Sequence, residues 1–278
     1  MHHFESLTKD FCRLIPAGET MMLHASVRAV GPVIGGPDVI LAALFAALGP
    51  AGTLMMYLGC PDGYDDIGRG GLPPELESAY ADFLPVFDPQ QTRANREFGT
   101  LAEFFRGTPG VHCSANPGAR MAAIGQQAEF LTTEHPLDYG YGPGSPLEKL
   151  CRLNGQVLLL GSDLDQVTLL HYAEHLFAER LSPTARRIAR YRTPLRIEGQ
   201  RVLRLTEEYD TSAGVCDWPE PYFATVLAAY LAAGGSCRQG TVGSAEAFVL
   251  PARELVDYAI GHMQNTAVKL ETTLESQL

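Results

Sequence analysis

Three short apolar runs constrain this chain more than any other feature: Thr20 to His24 (TMMLH), Thr53 to Leu58 (TLMMYL) and Gly155 to Gly161 (GQVLLLG). Each has strand length, and none alternates cleanly between apolar and polar residues. Such runs read as strands covered on both faces of a sheet. A helical pattern from Pro37 to Leu48, closed by Gly49-Pro50 and Gly52, separates the first two. Strand, helix, strand in that order predicts a parallel crossover unit. A short helix over Glu5 to Leu14 leads in through Pro16-Ala17-Gly18, another is expected at Thr100 to Phe105, and a strand at Met121 to Ile124. Arg186 to Asp210 reads as a β meander turning at Glu198-Gly199. Helices are expected near Tyr222 to Ala233 and Ala252 to Met263, with the last dozen residues a frayed tail. The chain thus reads as α/β, a single domain over residues 1–278, with a central mixed or parallel sheet flanked by helices plus a β meander.

Composition narrows the class. The 278 residues are 46% apolar and 19% charged, ordinary proportions for a globular protein. No run of about 18 apolar residues exists to span a membrane, and the start, MHHFESLTKDF, carries no leader pattern. Cys12, Cys60, Cys113, Cys151, Cys216 and Cys237 lie far apart with no CxxC, which predicts reduced thiols and a cytoplasmic setting. With 21 basic against 32 acidic residues the formal net charge is −11, the wrong sign for nucleic acid. Clustered acids suit a polycationic ligand instead; dispersed ones are only a solvated surface.

The stretch Thr168 to His175, TLLHYAEH, follows the third apolar run through SDLD, where Asp163 or Asp165 is placed to cap a helix. On that helix Thr168, His171 and either Glu174 or His175 share a polar edge, while Leu169, Leu170, Ala173, Leu176 and Phe177 cover the rest. In open α/β sheets, the region beyond a strand's carboxyl end is where ligands bind. Two chemistries fit. His171-x-x-Glu174-His175 spells the HxxEH zinc pattern, for which Glu246 would be the third ligand. Alternatively, His171 is an unmetallated general base. An ordinary polar surface helix has the same spelling.

Two acidic clusters stand apart from it: Asp62, Asp65 and Asp66 in CPDGYDD, and Glu207, Glu208 and Asp210 in EEYD. One follows the second apolar run directly and the other ends the meander, so both are able to converge on the histidine helix. A carboxylate bonded to one imidazole nitrogen fixes the tautomer and makes the other nitrogen more basic. No GxSxG elbow, no GxxxxGK[ST] loop and no GxGxxG fingerprint appears. Without a nucleophile, direct transfer between two bound substrates is the natural mechanism.

Taken together, MLHASVRAVGPVIGG (Met22 to Gly36), ALGPAGTLMMYLG (Ala47 to Gly59), GSPLEKLCRLNGQVLLLG (Gly144 to Gly161), VTLLHYAEH (Val167 to His175) and EEYDTS resemble the aminoglycoside 3-N-acetyltransferases. The match runs from about Leu7 to Met263. The resemblance implies acetyl transfer from acetyl-CoA to the 3-amino group of the 2-deoxystreptamine ring, without metal, conferring antibiotic resistance. It implies His171 as general base, Glu208 orienting it, and the Thr168 hydroxyl near the thioester. His24, Ala25, Ser26, Val27 and Arg28, with Ser114, are implied coenzyme contacts. Asp62 or Asp65, Glu174 and Asp210 are implied to hold the drug's ammonium groups, and a monomer or homodimer is expected. Two positions depart from many relatives: Ser114-Ala115-Asn116-Pro117 stands for Ser-x-His-Pro, and Arg120 for a frequent serine. These keep a different amine acceptor open.

Overall fold

In the computed structural model the three apolar runs lie side by side at the centre of one sheet. The structure describes residues 1–275 except 213, 216, 217 and 219, with side chains through residue 267. Cys216 and the last three residues therefore lie outside the described residues. The strands are β1 (Thr20–Ala25), β2 (Thr53–Tyr57), β3 (His112–Cys113), β4 (Met121–Gly125), β5 (Gln156–Leu160), β6 (Ile188–Ile197), β7 (Gln200–Tyr209), β8 (Arg238–Val242) and β9 (Ala245–Pro251). Seven form a mixed sheet in the order β3-β4-β2-β1-β5-β9-β8. β1 pairs in parallel with β2 (Leu23 opposite Met56) and with β5 (Leu23 opposite Leu158), and every other pairing is antiparallel.

Side chains alternate across a strand, and here the alternation divides each central strand between two cores. Leu23, Leu54, Met56, Leu158 and Leu160 face helices Phe4–Leu14, Gly36–Leu48 and Thr100–Arg106. Met22, Met55, Val157 and Leu159 face helices Pro146–Arg152, Leu170–Ala178, Tyr222–Ala232 and Ala252–Glu275. Fully burying such a side chain is worth about 1.5–3 kcal/mol. The apolar runs are therefore uninterrupted because both faces are covered.

Several expectations need correction. The meander is a single hairpin, β6–β7, separate from the main sheet. Its two-residue turn has Glu198 at φ 49° and Gly199 at φ 81°, the double positive φ of a type I′ turn. Neither Asp163 nor Asp165 caps the histidine helix. Asp163 accepts from the Asp165 amide in a 3₁₀ turn, and Asp165 Oδ1 accepts from Ala224 N at 3.0 Å, capping the helix Tyr222–Ala232 instead. The C-terminal helix does not stop at Met263 but continues to Glu275. Strands β8 and β9 were not foreseen. Among the described residues no helix is long and apolar enough to cross a membrane.

Candidate active site

Because β1, β2 and β5 are parallel, their carboxyl ends open on one edge of the sheet. There they line a cavity of about 310 Å³ with His24, Ala25 and Ser26 from β1 and the turn after it, Tyr57 from β2, and Ser162 and Thr168 from the segment after β5. Glu97, Phe98 and Gly99 close its far wall. Two buried polar atoms in it lack a partner, His24 Nε2 and Ser162 Oγ. Burial pulls His24 down to about 4, so this ring is neutral. Of the expected coenzyme contacts, His24, Ala25 and Ser26 reach the cavity. Val27 instead packs against the core and Arg28 is exposed.

Ser114 is not in this cavity. It is fully buried, accepts from Met121 N at 3.0 Å and lies 2.9 Å from His135 Nδ1. Its hydroxyl is consumed by that network and cannot reach a coenzyme. Arg120, the other departure, is also fully buried, and its guanidinium donates to the carbonyls of Thr92 and Arg93 at 2.7 and 2.5 Å. It fastens the long loop after β2 to the sheet.

His171 sits in the first turn of Leu170–Ala178, between the rings of Tyr141 and Phe223 at centroid distances of 4.8 and 4.9 Å. Its Nδ1 lies 2.8 Å from Glu174 Oε2, one helical turn on. Glu174 is 1% exposed. The carboxylate accepts the Nδ1 proton, which leaves Nε2 as the basic nitrogen. The expected orienting partner was Glu208 and the expected role of Glu174 was drug binding, but the contact belongs to Glu174. Its carboxylate is committed to the ring.

A second cavity, of about 150 Å³, opens on the other side of Tyr57 and holds Asp65, Glu208 and Asp210 with Arg69, Tyr141 and Tyr191. Burial raises Asp65, and raises Glu208 to about 7 although the Tyr209 amide donates to it at 3.0 Å and the amides of Tyr141 and Gly140 also favour its charged form. Asp210 is held below the usual carboxylate range by the Ser212 hydroxyl and amide. Asp62 is exposed and lines none of this. A third hollow, of about 170 Å³, adjoins at Thr211 and exposes one side of His171 to Asp165, Glu220, Trp218 and Phe223.

The two-histidine zinc arrangement is not assembled. His175 is buried against the rings of Tyr139 and Tyr209, and lies 3.4 Å from the Glu179 carboxylate without hydrogen-bond geometry. Glu246 accepts from Gln239 at the sheet edge. Among the described residues no cluster of three or more His, Cys, Asp or Glu side chains is placed to hold a metal. Sequence reasoning missed Tyr57, Tyr141 and Phe223. Tyr57 carried a signal, as the last residue of a buried strand; Tyr141 sits in a glycine-rich loop that carries none.

The chain is an acetyltransferase by its relatives. The chain belongs to the aminoglycoside 3-N-acetyltransferase family, whose family model matches residues 22–264. It is 47% identical over 251 residues to aminoglycoside N(3)-acetyltransferase III of Pseudomonas aeruginosa, covering 90% of this chain and 89% of that one. It is 36% identical to aminoglycoside N(3)-acetyltransferase VII of Streptomyces paromomycinus, covering 93% and 90%. Among solved structures, AAC-IIIb in binary complex with CoASH superposes with a TM-score of 0.85 at 40% identity, covering 95% and 97%. AAC-VIa bound to sisomicin gives 0.84 at 33% identity, covering 95% and 98%.

Proposed function

We propose that this chain transfers the acetyl group of acetyl-CoA directly to the 3-amino group of a 2-deoxystreptamine aminoglycoside, with His171 as general base. The observation that carries the reading is the position of the His171–Glu174 pair. Thr168, one turn before His171, lines the first cavity, and Tyr141, packed on the ring, lines the acidic one. The orphaned His24 Nε2 and Ser162 Oγ fit the polar groups of a coenzyme, since buried polar atoms need partners. The acidic cavity fits an acceptor carrying several ammonium groups.

An ammonium ion has no lone pair, so the reacting amine is neutral when it attacks. As the C–N bond forms, His171 Nε2 takes the amine proton and Glu174 stabilises the resulting imidazolium. The C–S bond then breaks and the proton passes to the departing thiolate, giving amide and free coenzyme thiol. The Thr168 hydroxyl donates to the developing oxyanion. Asp65, Glu208 and Asp210 hold amines that do not react. General base catalysis is worth about a hundred- to ten-thousandfold, and alignment of the two substrates contributes up to roughly 7–11 kcal/mol more. Such transfer removes one cation from the antibiotic and serves resistance, in the cytoplasm, from a monomer or homodimer.

Thiol release from acetyl-CoA, with gentamicin as acceptor and with or without a strong chelator, tests this. Release that requires the drug and ignores the chelator is expected. No release across a panel of aminoglycosides would overturn the acceptor assignment and direct the search to other amines.

A further inference from the structure

One peptide group, joining Gly140 to Tyr141, links a buried histidine outside the site to a carboxylate inside it. His135 is 6% exposed and its Nε2 lies 2.7 Å from the Gly140 carbonyl oxygen. A carbonyl only accepts, so Nε2 carries the proton and Nδ1 is the acceptor, receiving the Ser114 hydroxyl at 2.9 Å. The Ser114 oxygen in turn accepts from Met121 N at 3.0 Å. Every member of this chain is satisfied with one tautomer. Burial holds His135 down at about 4, so the ring stays neutral through the working range.

The far side of the same peptide faces the substrate cavity. In a trans peptide the C=O and N–H point in opposite directions, and here the Tyr141 amide, with that of Gly140, favours the charged form of Glu208, which lines the same cavity as Tyr141. Rotating that plane at once breaks the bond to His135 and turns the amide away from Glu208. The loop has little other freedom. Asn116 Nδ2 donates to the carbonyls of Pro136 and Leu137, and a Cβ on Gly140 would stand 2.3 Å from that nitrogen. On the other side a Cβ on Gly142 would stand 2.3 Å from the His175 ring. Tyr139, between these clamps, holds φ at 54°, a conformation that bulky residues adopt only when their surroundings impose it.

We infer that His135 is a positioning residue for acetyl transfer: its Nε2–H, through the Gly140–Tyr141 peptide, sets the amides that hold Glu208 and the Tyr141 ring that lies on His171. The inference rests on the proposed reading of the site. It also reassigns Ser114, from coenzyme contact to the group that orients His135. Without the Nε2 donor, the buried Gly140 carbonyl is orphaned, and the peptide turns to find another partner.

The readout is the titration of Glu208, because amides stabilise its charged form. The charged groups facing it are Asp65 and Arg69 from the loop after β2, Asp210 after β7 and His171 from its helix. Tyr57 of β2, Tyr141 and Tyr191 of β6 face it with phenols that burial keeps protonated. Apart from Tyr141, which brings no charge because its phenol stays protonated, these groups sit on elements other than the Gly140–Tyr141 loop, so a shift in the acid limb reports the amides.

The experiment compares kcat/KM for gentamicin against pH in wild type, His135→Leu and His135→Gln, taken as ratios to wild type to cancel the drug's own titration. Leucine is expected to lower the value at pH 7 by roughly tenfold, and to raise the acid limb by about one pH unit, the size of one lost charge-assisted hydrogen bond. Glutamine, whose amide N–H reaches the same carbonyl, should largely restore both. Ser114→Ala, a smaller change that leaves the Nε2 donor in place, should move the limb in the same direction by less. A folded His135→Leu or Ser114→Ala enzyme with lower melting temperature but the wild-type limb would overturn the inference. ¹⁵N imidazole spectra of the wild-type enzyme read the bond without any variant or activity: a neutral Nε2–H ring to pH 5 is expected, and a ring titrating near 6.5 also overturns it. Wild-type enzyme inactive on every aminoglycoside would instead fault the reading of the site.

Discussion

Tyr57 Oη lies 2.8 Å from Tyr141 Oη, and Tyr57 donates to the Gly118 carbonyl, also at 2.8 Å. This contact joins the two halves of the site, since Tyr57 lines both the first cavity and the acidic one and Tyr141 packs on His171. Tyr57→Phe keeps the ring, which meets Phe98 edge-on at 4.5 Å, and removes only the hydroxyl. A hydrogen bond is worth about 1 kcal/mol net, so the melting temperature should fall by about 2–4 °C and, with the two halves of the site less firmly joined, kcat should fall roughly fivefold. Steady-state kinetics beside a thermal melt would check it.

His171→Ala should lower kcat by about a hundred- to ten-thousandfold and leave aminoglycoside affinity nearly intact, as measured by calorimetry without acetyl-CoA. Glu174→Gln keeps the shape but withdraws the charge behind the imidazole. It should cost roughly ten- to hundredfold in kcat, the value of a hydrogen bond to a charged group. Glu208→Gln should act mainly on KM. Kinetics with the two glutamates exchanged in role would return the orienting function to Glu208.

Asp65 and Asp62 stand three residues apart in one loop, yet only Asp65 lines the acidic cavity. Asp65→Asn should raise the aminoglycoside KM by roughly tenfold, while Asp62→Asn stays near wild type because water already solvates its carboxylate. The pair serves as its own control under identical assay conditions.

The pH dependence follows from Glu208, which burial raises to about 7. Below that pH the carboxylate is protonated in the folded enzyme and holds a cation poorly, so KM for the drug should climb as pH falls through 7. Stability runs the other way. The folded state binds this proton more tightly than the unfolded chain, so the linked stabilisation is full below the ordinary glutamate range and is lost as pH rises to about 7. The melting temperature of wild type relative to Glu208→Gln should therefore decline between pH 4.5 and 7, and a flat difference would contradict the buried carboxyl.

Local pattern determined a good part of this protein. The uninterrupted apolar runs became β1, β2 and β5, because residues covered on both faces need no polar alternation. Glu198-Gly199 became the hairpin turn because its backbone demands positive φ. The HAS and LHYAEH segments stood at carboxyl ends of strands, where His24 and His171 were expected. Tertiary structure decided which groups meet. Glu174 rather than Glu208 took the histidine because an i, i+3 neighbour on one helix is already in place, whereas Glu208 was drawn to the Tyr209, Tyr141 and Gly140 amides. Ser114 left the coenzyme list because its partner, His135, is 21 residues away and both are sealed from water. Strand periodicity is a property of neighbours in sequence; hydrogen-bond partners and burial are properties of neighbours in space, and only the packed chain supplies those.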